Sequence, residues 1–370
     1  MNSAAARIES VRSALSHTDI DALVITPGAE LRYLTGSAAH PSERLTALVV
    51  PRQGAPVLIV PTLERPAAEL LGLDSAGVAL YDHGDGADAF GAVTALLRER
   101  LGRPAALVAV SERMWAAHWH GLTGAAPELR MALAETVLAP MRMVKSEDEV
   151  AELAAAAAAI DGVHRRMGEW LRPGRTEAQV ARDIAAAIVE SGHSEVSFVI
   201  VASGPNGASP HHAVSDRIVQ AGEPVVVDIG GTLASGYGSD CTRTYSVGEP
   251  EPEFTALYRI LRHAQQTGVA AVAPGTTAEA VDAATREVIE TAGYGEYFTH
   301  RTGHGIGLDG HEPPYIVAGD TTVLAPGMTF SIEPGVYVPG RFGARIEDIV
   351  VCTETGVRRL NTLSTDLVIL

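Results

Sequence analysis

The sequence predicts two domains: an α/β domain over residues 1–140, and an α+β domain with a curved antiparallel sheet over 141–370. Three observations lead there. The first 140 residues alternate short, branched apolar runs with helical periods. Ser146 and Glu149 then form a capping-box pair that opens a long Ala-rich helix where that texture stops. Beyond it, helix pairs alternate with strands that carry acids.

In the N-terminal part the runs DALVIT, TALVVP, PVLIVP, GVALYD and AALVAV read as strands of a largely buried sheet. Helical patterns over Arg7–Ser16, Leu63–Leu71 and Ala87–Arg100 separate them. The Ala-rich helix is expected from Ser146 to about Trp170, and its alanine run favours a packed helix over a linker. A helix over Thr176–Ser191 follows the RPGRT turn, and a second pair covers Glu253–Ala271 and Thr277–Ala292 across APGTT. SFVIVASG, PVVVDIGG, CTRTYSVG, MTFSIEPGVYV and ARIEDIVVCT supply the strands. They are expected to form a sheet lined by acids on one face and covered by helices on the other.

Composition narrows the function. Apolar residues make up 46% of the 370 and charged residues 20%, an ordinary globular balance. A formal net charge of −17 argues against nucleic acid or an anionic membrane as partner. No apolar run approaches the roughly 20 residues of a membrane span. The N-terminus lacks a signal pattern and reads as an amphipathic helix. The two cysteines, Cys241 and Cys352, imply no disulfide framework. Together these features lead us to expect a soluble, cytoplasmic protein.

The chemistry lies in the C-terminal half. Asp228 closes the apolar run PVVVD, and Gly230–Gly231 after it suggests a sharp turn. A carboxylate on a buried strand is costly unless paired or bound to metal. Asp240 follows a turn-rich stretch that would return an antiparallel strand beside Asp228, where two like charges need a cation between them. His304 sits between glycines in GHGIG, expected to be a permissive stretch that leaves the imidazole uncrowded. Glu333 in TFSIEPG and Glu347 in ARIEDIVV interrupt apolar strands, and Asp348 is the bystander next to Glu347. Oxygen-rich sites with one imidazole suit a pair of divalent cations and metal-assisted hydrolysis.

The order of these segments, strand-D-x₁₁-D, HGxG, EPG and RIED, resembles the pita-bread metallopeptidases: methionine aminopeptidase, aminopeptidase P and Xaa-Pro dipeptidase (prolidase). The resemblance runs from about residue 140 to the C-terminus, and the α/β domain extends it to the proline-specific branch and creatinase. It implies two divalent metal ions per chain held by Asp228, Asp240, His304, Glu333 and Glu347. Mn²⁺ is the expected ion, with Co²⁺ and Zn²⁺ admitted by the same ligands. It further implies that Glu333 shuttles a proton between water and the leaving amine. His211 in SPHHAVSD and His311 in DGHEPP correspond to groups near the substrate carbonyl, with His212 ambiguous against His211 by spacing. Arg345 is expected to pair with a ligand carboxylate and Tyr237 to help orient Asp240.

The activity so implied is hydrolysis of a small peptide with proline in second position, by a homodimer whose N-terminal domain narrows the cleft. Xaa-Pro dipeptidase is the first reading; aminopeptidase P, acting on longer peptides, is the alternative, ahead of a non-peptidase on the same fold. Some prolidases carry an Arg shortly after the HE motif. Here Tyr315 and no Arg precede Met328.

Other signals are weaker. GIGLDG matches G-x-G-x-x-G, but two prolines follow where a helix is required. His118 and His120 lie near tryptophans and read as aromatic packing or a substrate-facing edge, with no third metal ligand evident. Asp82, His83 and Asp85 read as a polar turn. No G-x-S-x-G is present.

Overall fold

In a computed structural model the described residues, 3–370, form two compact units, 3–142 and 143–370.

The first unit is an α/β layer. Its elements are α1 (Ala4–Leu15), β1 (Ala22–Ile25), α2 (Ala29–Thr35), β2 (Ala47–Pro51), β3 (Val57–Pro61), α3 (Arg65–Glu69) and β4 (Ala79–His83). They continue with α4 (Ala89–Leu101), β5 (Leu107–Val110), α5 (Ala116–Ala125), β6 (Arg130–Leu133) and α6 (Glu135–Met143). The strands form one sheet in the order β4-β3-β2-β1-β5-β6. β1 and β2 are buried at every position, which explains their unbroken apolar runs. The expected helix at Leu63–Leu71 shortens to a 3₁₀ turn and α3, with Leu63 and Leu70 left exposed. β6 escapes sequence reading because RMAL is only partly buried and shows no apolar alternation.

The second unit opens with α7 (Glu147–Arg165), and both halves of its capping box are made: Ser146 Oγ accepts from Glu149 N, and Glu149 Oε2 accepts from Ser146 N. The helix stops at Arg165, and a 3₁₀ turn covers Met167–Glu169. Then come α8 (Glu177–Glu190), β7 (Glu195–Ser203), β8 (Glu223–Thr232), β9 (Cys241–Val247), α9 (Pro252–Ala271) and α10 (Ala278–Thr291). The rest is β10 (Gly303–Gly305), β11 (Glu312–Ile316), β12 (Thr329–Ile332), β13 (Gly335–Val338), β14 (Phe342–Arg345), β15 (Asp348–Thr353), β16 (Gly356–Arg359) and β17 (Val368–Ile369).

β7, β8 and β9 pair antiparallel, with β17 parallel to β9 at the edge. The second sheet, β11-β10-β12-β15-β16, is antiparallel throughout, and β13-β14 is a separate ribbon. α7 and α8 bury Ile160, Val180 and Ile184 against Val225, Val227 and Ile229 of the first sheet. α9 and α10 cover the second, with Val272 just past the end of α9 and Val281 of α10 against Phe330, Ile332 and Val350. This is the pita-bread arrangement: antiparallel sheets backed by helix pairs.

Three local expectations are corrected. Asp228 does not end its strand: it is mid-β8, opposite Ile200 and Thr242, and β8 continues through Gly230 and Gly231. Gly230 serves close packing instead of a turn, since a Cβ there would lie 2.5 Å from both the Phe198 ring and the Ser239 carbonyl. The stretch around His304 is not uncrowded: His304 lies in β10, flanked by β11 and β12, where a Cβ on Gly303 would overlap the Ser331 carbonyl. Finally, Glu333 and Glu347 do not sit inside strands. Each occupies the break where the β12–β15 pair hands over to the β13–β14 ribbon.

Candidate metal centre and active site

Those breaks, the middle of β8, the start of β9 and the centre of β10 converge on one cavity of about 790 Å³. Asp228, Asp240, His304, Glu333 and Glu347 all line it, with His211, His300, Arg301, His311, Arg345, Phe198 and Ile200. Three overlapping groups have donor atoms within 4.8 Å of one another: Asp228–Asp240–Glu347, His304–Glu333–Glu347 and Asp240–His304–His311.

The side chains are held so that one donor atom of each remains available. Asp228 Oδ2 accepts from Arg345 Nη2 at 2.6 Å, whereas buried Oδ1 has no hydrogen-bond partner among the described residues. Glu347 Oε2 accepts from Thr242 Oγ1 at 2.8 Å, and its buried Oε1 is equally without one. His304 Nδ1 donates to the Gly305 carbonyl at 3.1 Å, which directs Nε2 towards Glu333 Oε1 at 3.2 Å and Asp240 Oδ2 at 3.8 Å. Ser331 Oγ accepts from His304 N and donates to Glu333 Oε1, so one hydroxyl aligns both residues. Orphaned buried oxygens are costly unless a cation satisfies them. The residues present therefore fit divalent metal.

Electrostatics agree. Burial and the Asp228 charge raise the Asp240 carboxyl well above its ordinary range, and burial with Asp240 does the same to Glu347. Burial also opposes ionisation of Glu333, but the hydrogen bond and charge of His304 outweigh it and hold Glu333 at about 2. Burial disfavours a charged His304, and Glu333 and Asp240 reverse that and raise it. So many carboxylates in one buried pocket cannot all ionise without a compensating cation.

Around the cluster, the Arg345 guanidinium also donates to Thr242 Oγ1, the Pro210 carbonyl and Tyr337 Oη, whose other neighbour is His300 Nε2 at 2.8 Å. Asp348 does not line the cavity. It is fully buried and held by Arg243, Arg359 and Gln265, while Arg243 Nη1 donates to the Glu347 carbonyl at 2.6 Å. Asp348 thus fixes the backbone that carries Glu347.

His211 faces the cavity, and His212 turns instead to Glu177 Oε2 at 2.8 Å. Glu177, buried at the start of α8, also accepts from Ser203, Asn206 and Ser215, pinning both ends of the loop that bears His211. His311 lies against His304 with ring centroids 3.9 Å apart. Next to it, Glu312 and Lys145 form a buried ion pair at 2.6 Å.

Tyr237 stands apart from the expected position. Its hydroxyl donates to Glu149 Oε1 at 2.6 Å, and its ring packs with Val150, Leu153 and Ile306. Its single proton goes to α7, not to Asp240.

Arg301, His300, Lys145, Glu312 and Glu177 were not singled out from sequence. Lys145 and Glu312 are 167 residues apart, and only the fold pairs them. His118 packs between Trp115 and Phe90 as an aromatic element of the first unit. Asp82 pairs with Arg65 and Asp85 with Arg44, while His83 meets the Leu45 carbonyl. Both cysteines are free and buried.

Helix-backed antiparallel sheets around a buried carboxylate–imidazole cluster are the architecture of a metal-dependent hydrolase. The chain belongs to metallopeptidase family M24, matched over residues 151–354, and residues 7–144 match the creatinase/prolidase N-terminal domain. It is 53% identical to the probable dipeptidase PepE of Mycobacterium tuberculosis, covering 99% of this chain and 96% of that one. It is 33% identical to the Xaa-Pro dipeptidase of Lactobacillus delbrueckii subsp. lactis, covering 98% of each. The crystal structure of dipeptidase PepE from Mycobacterium ulcerans superposes with a TM-score of 0.93 at 52% identity, covering 99% of this chain and 97% of that one. Among the described residues no helix is long and apolar enough to cross a membrane.

Proposed function

We propose that this metallopeptidase hydrolyses dipeptides with proline in second position, using two divalent cations, with Mn²⁺ the expected ion. The observation that carries the reading is the set of overlapping donor groups sharing Glu347, Asp240 and His304, with two buried carboxylate oxygens left for a cation. Likeness to proteins named as dipeptidase and Xaa-Pro dipeptidase supports the substrate class.

In this reading Asp228, Asp240, His304, Glu333 and Glu347 hold the cations, which when bound activate water and polarise the scissile carbonyl. Glu333 takes the proton of the attacking water and passes it to the imide nitrogen, which leaves as the secondary amine of proline. His211 and His311 donate to the carbonyl oxygen as negative charge develops on it. Arg345 neutralises one oxygen of Asp228 and orients the other. A proline imide has no N–H to grip, so recognition falls on cavity shape, with Phe198 and Ile200 as its apolar wall. A cytoplasmic homodimer completes the proposal.

The test is an assay of Ala-Pro, Gly-Pro, Ala-Leu and Ala-Pro-Ala with Mn²⁺-loaded protein. Preferential hydrolysis of Ala-Pro and Gly-Pro is expected. Preference for Ala-Leu would overturn the proline assignment, and hydrolysis of Ala-Pro-Ala alone would overturn the dipeptidase assignment.

A further inference from the structure

The His211 imidazole lines the cavity, yet among the described residues it makes no hydrogen bond of its own. Its direction is set by the main chain on either side. One residue before it, the Pro210 carbonyl accepts from Arg345 Nη1 at 3.2 Å. One residue after it, His212 Nε2 meets Glu177 Oε2 at 2.8 Å. Further back, the Gly207 carbonyl seats so closely on β14 that a Cβ on Gly343 would overlap it. The loop is fixed at these points, and His211 projects between two of them.

Glu177 does most of the fixing. Its side chain is buried in the first turn of α8. Oε1 accepts from Ser203 N, Ser203 Oγ and Asn206 Nδ2 at 2.8, 2.8 and 3.0 Å. Oε2 accepts from His212 Nε2, Ser215 N and Ser215 Oγ at 2.8, 3.2 and 2.6 Å. The start of the helix holds the same loop through its backbone, with Glu177 N donating to the Arg217 carbonyl and Ala178 N to the Ser215 carbonyl. Burial opposes the charge of Glu177, but hydrogen bonds from Ser215, Ser203, Asn206 and His212 outweigh it and hold the carboxyl below its ordinary range. An ionised carboxylate only accepts, so His212 Nε2 carries the hydrogen. Turning that ring to the cavity would take a donor from a buried charge. Two adjacent histidines of the same chemistry are thus sorted: His212 is committed to α8, and His211 is left for the cavity.

We propose that Glu177 and His212 are positioning residues that act through His211: the carboxylate anchors His212 on α8 and so directs the His211 imidazole at the substrate carbonyl. This rests on the role given to His211 in the hydrolysis above. A donor to a developing negative charge works only where that charge will stand, and a displacement of about 1 Å costs about 10²-fold in rate. The effect belongs to the transition state, so it falls on kcat and leaves KM unchanged.

The experiment is a double-mutant cycle on Mn²⁺-loaded protein, with kcat and KM measured on Ala-Pro and Ala-Leu for wild type, His211→Ala, His212→Ala and the double variant. His211→Ala is expected to lower kcat about 10²- to 10³-fold, as loss of one donor to an oxyanion does. His212→Ala should lower kcat about ten- to hundredfold with KM unchanged. In the His211→Ala background the same substitution should change kcat by less than about twofold, because the group it positions is gone. His212→Ala leaves Glu177 its donors from Ser203, Asn206 and Ser215. The fold is therefore kept, and calorimetric titration should give a Mn²⁺ affinity within about twofold of wild type. Glu177→Gln is the harsher arm: Ser203 N and Ser215 N approach different oxygens, so whichever way the amide sits, one backbone N–H faces an NH₂ group. It should lose at least as much kcat, and that loss should also shrink when His211 is alanine. A His212→Ala loss as large in the His211→Ala background as in wild type would overturn the inference. So would a wild-type kcat in His212→Ala, or a loss confined to KM or to metal affinity. A His211→Ala protein with wild-type kcat would refute the role of His211 and the inference with it, and leave the peptidase reading standing. No cleavage of either peptide by wild type would refute both.

Discussion

Arg345 Nη2 donates to Asp228 Oδ2 at 2.6 Å, and this contact divides the carboxylate into a neutralised oxygen and a buried one with no hydrogen-bond partner among the described residues. Both residues are buried, so the pair exists in a medium where an uncompensated charge is expensive. Arg345→Ala should therefore lower stability by about 3–5 kcal/mol and weaken metal binding about ten- to hundredfold. Arg345→Lys should not recover it, because one ammonium cannot serve Asp228, Thr242 and Tyr337 together. Thermal unfolding with and without Mn²⁺, alongside calorimetric titration of the metal, reads both effects.

Glu333→Gln tests the proton shuttle. The amide keeps the shape but cannot take a proton, so kcat is expected to fall about 10²- to 10⁴-fold. Metal content measured on the same sample separates loss of the base from loss of a ligand. Near-normal turnover in fully loaded protein would remove Glu333 from that role.

How much of this was legible in the chain divides along physical lines. Asp228, Asp240, His304, Glu333 and Glu347 were legible because charged residues in apolar or glycine-rich runs are locally anomalous. Their settings were not. Gly230 and Gly303 look like turn residues, yet each permits close packing against a partner distant in sequence, Phe198 and Ser331. The strand breaks at Glu333 and Glu347 were hidden because TFSIEPGVYV and ARIEDIVVCT each read as one run, and only the pairing partners reveal two strands. Lys145 resembles any surface cation until the fold supplies Glu312.

The buried pair Lys145–Glu312 makes a separate stability prediction. Lys145→Met leaves the Glu312 carboxylate buried without its cation and should cost about 3–5 kcal/mol. The double variant Lys145→Met, Glu312→Leu should recover most of that, because two apolar groups of similar size leave no charge unpaired. Denaturant unfolding of the two variants measures the difference.

The cluster also predicts an inverted pH dependence in metal-free protein. Asp240, Glu347 and His304 have folded-state pKa values above their ordinary ones, so the folded state holds protons that the unfolded chain has released. Their contribution is full below the unfolded values and is lost as pH rises through the folded ones. Glu333 acts oppositely, its contribution present above the ordinary carboxylate range and lost only as pH falls towards about 2, and so do the cavity's His300 and His311, whose lowered values give a contribution that is present above the ordinary histidine range and lost below it. Chelator-treated protein should thus melt at lower temperature at pH 9 than at pH 7, an interval above the ordinary histidine value in which His300 and His311 no longer oppose the slope. Mn²⁺ should remove that slope, because the cation takes the place of the protons. A metal-free melting temperature that rises across this interval would contradict the electrostatic account.

The most direct measurement of the central claim is hydrolysis of Ala-Pro by one preparation in three states: as loaded with Mn²⁺, after removal of metal by chelation, and after Mn²⁺ is restored. Free proline should be released in the first and third states and not in the second. Release that persists without metal, or none in any state, would contradict it.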